Sequence, residues 1–492
     1  MSIVKLKLLN HAMLQFVECE PGIAQELSDR LTFEVPGAKY MPAVRKKGGW
    51  DGHIRLFNRK NGQINAGLYE NIREYIESSG HTIELEKTEF GVPGSKNGVQ
   101  RKEVVDWINT LTLPWEPYYY QVDAVTHALR HKRAVFVCPT GSGKSYIAYL
   151  ASRAYLAQHQ SHILIIVPTT SLVEQLSSDF IEYNASMSDY VQKIYQGHEI
   201  EIKKPIVIST WQSIYKLPKE WFAKFGMIIG DECHGFKSKS LTSIMNKSVN
   251  AEYRIGLTGT LDDSEVHALV LEGLFGPILQ VTTTAKLQAE KVLAPLKIQM
   301  LALQYTNEER KAVHKVAYHD EVDFLVAHER RNKLITNLAL DLDGNTLILF
   351  NYVEKHGKVL HDILDQKIEK GRKLYFVAGE TDVKIREAIR GIVEKQSNAI
   401  IVASFGTFST GINIRNIHNI IFASPSKSVI RVLQSIGRGL RISDNGYTTN
   451  LYDIMDELKW SGRENFSMKH GNARITIYER EDFVFKIIGM KI

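Results

Sequence analysis

Short apolar runs, separated by stretches with apolar residues at helical intervals, organise most of this 492-residue chain. From about residue 113 to 290 such runs fall near 134–137, 163–167, 206–208, 226–229 and 254–257. Each is long enough for a strand buried on both faces, and each is followed by a helix-length segment with a 3.6-residue period. Strand–helix alternation of this kind demands a parallel sheet. A second series, at 347–350, 374–377, 399–404, 419–424 and 450–454, predicts another such lobe over 336–458. Residues 291–335 are charged and expected to be a helical bridge, and 459–492 a helical tail. At the front, strand-like runs at 4–9, 13–18, about 54–58 and 81–86 enclose two amphipathic helices, PGIAQELSDRL and LYENIREYIESS. They predict a small α+β N-terminal domain over 1–112, which includes a Gly- and Lys-rich linker at 90–103. The fold class is therefore α/β: two tandem parallel-sheet lobes preceded by an α+β domain.

Composition refines this picture at a few points. Apolar content of 44 % and charged content of 24 % are ordinary for globular protein. The length suits about three domains, each with its own core. A net charge of +6 is modest, so basic residues matter only where they cluster. They do so between Lys39 and Lys60, with seven Lys or Arg and one acid. There Arg45, Lys46, Lys47 and Arg55 interleave with Tyr40, Trp50 and Phe57, a pattern that can reach phosphates and stack on exposed bases. The alternative is a solvated hairpin with Trp50 and Phe57 in the core. Cys19, Cys138 and Cys233 show neither metal spacing nor pairing, which points to a reducing cytoplasm. The N-terminus lacks a signal-peptide core and no apolar run is of membrane-spanning length, so no membrane partner is expected. Nothing specifies an oligomer, and a monomer is expected.

Three motifs carry chemistry. CPTGSGKS (138–145) follows the apolar AVFV and opens a helical stretch, the strand–loop–helix context of a phosphate loop. Gly141 and Gly143 free the backbone to aim the N–H groups around Pro139, Thr140 and Ser142 at a triphosphate, and the helix N-terminus adds its positive end. Lys144 would meet the β- and γ-phosphates of ATP, and Ser145 would ligate Mg²⁺. DECH (231–234) ends the buried run KFGMIIG. Asp231 is the candidate Mg²⁺ ligand and Glu232 the candidate base for the attacking water. His234 is the candidate coupling residue. In QSIGRGLR (434–441) a helix would place Arg438 and Arg441 on one face, where planar guanidinium groups can neutralise a departing γ-phosphate. Gln434 is assigned to the same cleft. Because those arginines lie in the second lobe and the phosphate loop in the first, two lobes are needed for one nucleotide.

With these motifs in this order the chain resembles the superfamily 2 helicases, whose lobes are RecA-like. YYYQVDAV (118–125) resembles the adenine-side motif, with Gln121 as base contact. VPTTSLVEQ (167–175) and STWQS (209–213) resemble DNA-strand motifs, which implies that Thr169, Thr170, Thr210, Trp211 and Gln212 contact nucleic acid. LTGT (257–260) resembles the motif in which Thr258 and Thr260 couple hydrolysis to strand movement. TLILFNYVEKHGK (346–358) and FVAGETDVKIR (376–386) resemble the motifs that follow it. ASFGTFSTGINI (403–414) resembles motif V, implying a strand contact at Thr410 and nucleotide contacts at Gly411 and Asn413. The chain departs from the pattern twice. Cys138 replaces the first phosphate-loop glycine, and Asn413 stands where many relatives carry Asp.

Within the superfamily the chain is most similar to the UvsW-type helicases of T4-type bacteriophages. That likeness includes GGWDGHIRLF (48–57) and the tail KHGNARITIYEREDFVFKI (469–487). It implies a DNA-dependent ATPase, with ATP and Mg²⁺ as cofactors, that unwinds forks, Holliday junctions and R-loops in the host cytoplasm. The family suggests 3′→5′ polarity. The alternatives are an RNA helicase and an ATP-switched translocase that binds nucleic acid without separating strands.

Overall fold

The computed structural model describes residues 2–35, 38, 44, 50–236, 238–261, 265–379, 381, 383–393, 395–407, 416–424 and 448–492. Two compact units emerge, one of residues 1–138 and 143–281, the other of residues 282–492 with 139–142.

The first unit opens with strands β1 (Ile3–Leu8), β2 (Met13–Glu18), β3 (Thr32–Glu34), β4 (His53–Arg55), β5 (Phe57–Asn58), β6 (Gln63–Asn65) and β7 (Thr82–Glu86). Five form a sheet in the order β5-β6-β2-β1-β7, and β3 and β4 make a separate antiparallel pair. Helices Pro21–Arg30 and Tyr69–Ser78 bury Ile23, Leu27, Ile72 and Ile76 against Val4, Leu6, Leu14 and Phe16. This is the expected α+β domain.

It docks onto the rest of its unit through backbone. A Cβ on Gly67 would lie 2.0 Å from the carbonyl oxygen of Glu272, so only glycine permits this approach. The His11 N–H donates to Val249 O at 3.0 Å, and Asn65 Nδ2 donates to Asn246 Oδ1 at 2.9 Å.

Seven parallel strands follow: β8 (Arg133–Val137), β9 (His162–Val167), β10 (Val191–Ile194), β11 (Ile206–Thr210), β12 (Phe225–Asp231), β13 (Tyr253–Thr258) and β14 (Ile278–Gln280). Their order is β10-β11-β9-β12-β13-β8-β14. The central strands are buried along nearly their whole length, which is why they read as unbroken apolar runs.

The second unit carries another all-parallel sheet, of β15 (Leu296–Gln304), β16 (Thr346–Phe350), β17 (Lys373–Val377), β18 (Ala399–Ser404), β19 (Asn419–Phe422), β20 (Thr449–Glu457) and β21 (Phe485–Lys491). The order is β17-β18-β16-β19-β20-β15-β21.

Two expectations are corrected here. The segment 291–335 is not simply a helical bridge, because β15 lies within it and pairs along its full length with β20. Its helices, Asn307–Ala312, Tyr318–Ala327 and the start of Glu329–Asp341, come afterwards. The tail is likewise one helix, Phe466–Arg480, followed by the edge strand β21. Within that helix Arg474 is 1 % exposed, with its guanidinium on both carboxylate oxygens of Asp453 at 3.0 and 2.8 Å. Among the described residues no helix is long and apolar enough to cross a membrane.

Candidate nucleotide and strand site

The motif residues follow the carboxyl ends of neighbouring parallel strands of the β8–β14 sheet, where open α/β sheets bind ligands. Along the edge come residues 210–212 after β11, 168–170 after β9, 231–234 after β12, 258–260 after β13 and 138–145 after β8.

The loop after β8 turns through Gly141 (φ 88°) and Gly143 (φ 79°), both in the left-handed region that glycine adopts freely. Gly143 caps the helix Lys144–Leu156. A Cβ there would sit 2.3 Å from Gln121 Nε2, so the Gln121 side chain lies directly against the loop. Gln121 is itself buried, and its Oε1 accepts the Tyr118 N–H at 2.9 Å. Lys144 Nζ donates to Cys138 O at 3.2 Å, and Ser145 Oγ is 2.8 Å from Tyr183 OH.

Sequence reasoning missed Tyr183. Burial raises its pKa, with Asp179 adding to the rise, so it remains a neutral phenol beside the Ser145 hydroxyl. It stands 38 residues from Ser145, at the last turn of its helix and beyond the VPTTSLVEQ motif, so no local signal marks it.

Across the loop, Asp231 ends β12 and Glu232 follows with φ 50° and ψ 48°. A left-handed glutamate costs on the order of 1 kcal/mol, strain of the kind found at functional sites. Burial pushes the Asp231 carboxyl up to about 7, and the neighbouring Glu232 adds to it while Lys144 opposes.

A chain of polar contacts leaves this pair. His234 Nδ1 lies 3.3 Å from Glu232 Oε2 and 3.0 Å from Thr258 Oγ1. The Thr258 hydroxyl donates to Thr260 O at 2.8 Å. With its one proton spent there, Thr258 Oγ1 accepts from His234, which places the imidazole proton on Nδ1. Thr258 also offers its carbonyl to the Cys138 N–H at 2.8 Å. The DECH residues, the LTGT residues and the start of the phosphate loop therefore form one connected structure.

Thr169 caps the helix Thr170–Tyr183 by accepting the Leu172 N–H at 3.3 Å, leaving Thr170 exposed. Thr210 is buried, its Oγ1 2.9 Å from Ser213 Oγ. Trp211 is half-buried, and Gln212 reaches across to Pro168 O at 3.4 Å. The residues of the two strand motifs are thus adjacent.

The front patch divides. Trp50 is 37 % exposed, with its indole N–H on His53 O at 2.7 Å, and Arg55 is exposed and paired with Asp51. Phe57 is not available for stacking, because it is buried against Phe16 with ring centroids 4.9 Å apart. Arg45, Lys46, Lys47, Thr410, Gly411, Asn413, Gln434, Arg438 and Arg441 lie outside the described residues.

The residues at the phosphate loop fit a magnesium–nucleotide complex. Ser145 and Asp231 offer the hard oxygen donors that Mg²⁺ prefers, and Asp231 is a largely desolvated acid with Glu232 beside it, a pair of negative groups that a divalent cation would relieve.

Three family models match the chain. They are the Type III restriction enzyme res subunit over residues 114–263, the N-terminal domain of DNA helicase UvsW over 4–86, and the helicase conserved C-terminal domain over 329–443. The chain is 34 % identical to the ATP-dependent DNA helicase uvsW of Enterobacteria phage T4, over 96 % of this chain and 97 % of that protein. It is 28 % identical to the DNA 3′-5′ translocase XPB2 of Sulfurisphaera tokodaii, over 66 % of this chain and 78 % of the relative. The crystal structure of T4 UvsW matches with a TM-score of 0.52 at 30 % identity, covering 100 % of both chains.

Proposed function

The chain belongs to the UvsW family of ATP-dependent DNA helicases, and from that premise we propose that it spends ATP to unwind and migrate branched DNA: forks, four-way junctions and R-loops. The observation that carries the proposal is the line of contacts beside the phosphate loop, in which Glu232 Oε2 approaches His234 Nδ1 and hydrogen bonds run on from His234 through Thr258 to Thr260.

In this reading Lys144 leaves Cys138 O and meets the β- and γ-phosphates, while Gln121 reads the base. Ser145 and Asp231 would hold Mg²⁺, which would supply charge neutralisation for the transferring phosphoryl group. Glu232 orients the attacking water and takes its proton. Arg438 and Arg441, carried over from motif VI, neutralise charge on the departing phosphate, and Gln434, Gly411 and Asn413 complete the nucleotide contacts.

A change at Glu232 shifts the Nδ1–H of His234, and Thr258 passes that shift to Thr260. Thr169, Thr170 and residues 210–212 are the strand contacts that respond, with Thr410 as their counterpart in motif V. The front residues Arg45, Lys46, Lys47, Trp50 and Arg55 hold the duplex arms. The phage relative suggests that this happens in the cytoplasm of an infected host.

Glu232→Gln tests the assignment. It is expected to bind ATP and to lose turnover, since the amide cannot accept the water's proton; hydrolysis at the wild-type rate would remove Glu232 as the base.

A further inference from the structure

The second unit carries a cleft that none of the helicase motifs uses. Lys315, Arg463 and Lys469 line it together with His314, Phe466 and the acids Glu321 and Glu464, brought together from either side of β20. Two of the cations are displayed by unusual backbone. Lys315 is left-handed at φ 64°, and Arg463 follows a turn in which Ser461 (φ 47°) and Gly462 (φ 76°) are both left-handed. That turn is closed by reciprocal backbone hydrogen bonds between Trp460 and Arg463 at 3.2 and 3.0 Å, the geometry of a tight hairpin loop. Lys469, one turn into the helix Phe466–Arg480, holds its ammonium 5.9 Å from the Phe466 ring centre.

None of Lys315, Arg463 and Lys469 has an ion-pair partner among the described residues. Of the two acids in the lining, Glu321 is buried and committed, its oxygens accepting from Asn465 Nδ2 (2.8 Å), Phe466 N (2.9 Å) and Ser467 N (2.7 Å). Glu464 accepts from Asn472 Nδ2 at 3.5 Å through one oxygen and pairs with none of the three cations, so the cleft keeps a net positive charge. Beside the cations Tyr318 is 38 % exposed, its ring 5.5 Å from Phe466 and 5.5 Å from His470. Cations without internal partners cost little to leave in water, but fixing them around one cleft beside an open aromatic face favours a polyanion with planar groups.

We propose that this cleft binds the phosphate backbone of a DNA strand, with Lys315, Arg463 and Lys469 on phosphates and Tyr318 against a base. The inference rests on the DNA-helicase reading above and adds a contact outside its motifs.

The test is equilibrium binding of a labelled single-stranded oligonucleotide across a salt series, comparing the full-length wild type with K315A/R463A/K469A. Each lost phosphate contact removes about 0.7 from the slope of log affinity against log salt, so the triple variant should be shallower by about 2 and bind roughly tenfold or more weakly. The charge-keeping set K315R/R463K/K469R should restore binding. If the triple variant loses melting temperature, Arg463→Ala alone, on the exposed turn, should still lower the slope by about 0.7. A folded variant with wild-type affinity and slope overturns the cleft and leaves the helicase reading standing. Failure of the wild type to bind DNA brings down both.

Discussion

Thr258→Val isolates the coupling chain with little change of shape. Valine keeps the branched volume of a residue that is 0 % exposed and deletes only the hydroxyl. That hydroxyl serves two partners, accepting from His234 Nδ1 at 3.0 Å and donating to Thr260 O at 2.8 Å. Thr260 O is left without it in a buried setting and half-buried His234 loses its acceptor, at about 1–3 kcal/mol for each unsatisfied group, so a loss of roughly 2–6 kcal/mol is expected. For a lobe of this size each kcal/mol lowers the melting temperature by roughly 2–4 °C. The functional effect is more specific. Lys144, Ser145, Asp231 and Glu232 are untouched, so ATP turnover without DNA should persist, while DNA stimulation of turnover and strand separation should fall together. Thr258→Ser, which keeps the oxygen and its proton, should restore both. Steady-state ATPase with and without DNA, paired with a fluorescent unwinding assay, reads this directly. If Thr258→Val retains full DNA stimulation and normal unwinding per ATP, the hydrogen-bonded chain is structural and the coupling argument fails.

Gly143→Ala should weaken nucleotide binding by roughly tenfold, because a left-handed alanine costs about 1 kcal/mol and its Cβ also displaces Gln121; isothermal titration with a non-hydrolysable analogue checks this. Arg331→Met should cost roughly 3–5 kcal/mol in denaturant unfolding, since it strands Asp456, which it meets through Nε at 2.7 Å with both side chains at 0 % exposure. Glu272 has its pKa raised to about 7, first by burial and then by Glu74. The folded state therefore holds its proton longer than the unfolded state. Stability from this group is intact below the ordinary carboxylate range and is lost as pH climbs towards 7, by up to about 3 kcal/mol. Glu272→Gln should flatten that decline in pH-dependent melting.

The two parallel sheets were legible in the sequence because their central strands are buried on both faces. HILIIV and FGMIIGD present no polar alternation that could be read as a helix or a surface strand. β15 and β21 were missed for opposite physical reasons. LKIQMLALQ mixes polar residues into its first half and sits among charged helices, while FKIIGMK is an edge strand with mostly exposed positions. Edge strands are defined by their neighbour, which local pattern does not reveal.

The phosphate loop and DECH could be read because their chemistry is contiguous. The Glu232–His234–Thr258 chain was foreshadowed only as motif roles, since the pairing of β12 with β13 is what brings residues 24 apart into contact. The burial of Arg474 has no local signal, since a lone arginine in a polar tail looks solvated until Asp453, on a different element, is placed against it. Phe57 and Trp50 share a basic stretch, yet strand alternation turns Phe57 into the core while Trp50 stays on its turn.

The most direct test of the central claim is ATP turnover and strand separation measured together on single-stranded DNA, linear duplex, a fork, a four-way junction and an RNA duplex, with Lys144→Ala as the control. ATP-dependent separation strongest on the fork and junction, absent in Lys144→Ala, is the predicted result. Turnover without separation on any DNA, or stimulation by RNA alone, would contradict it.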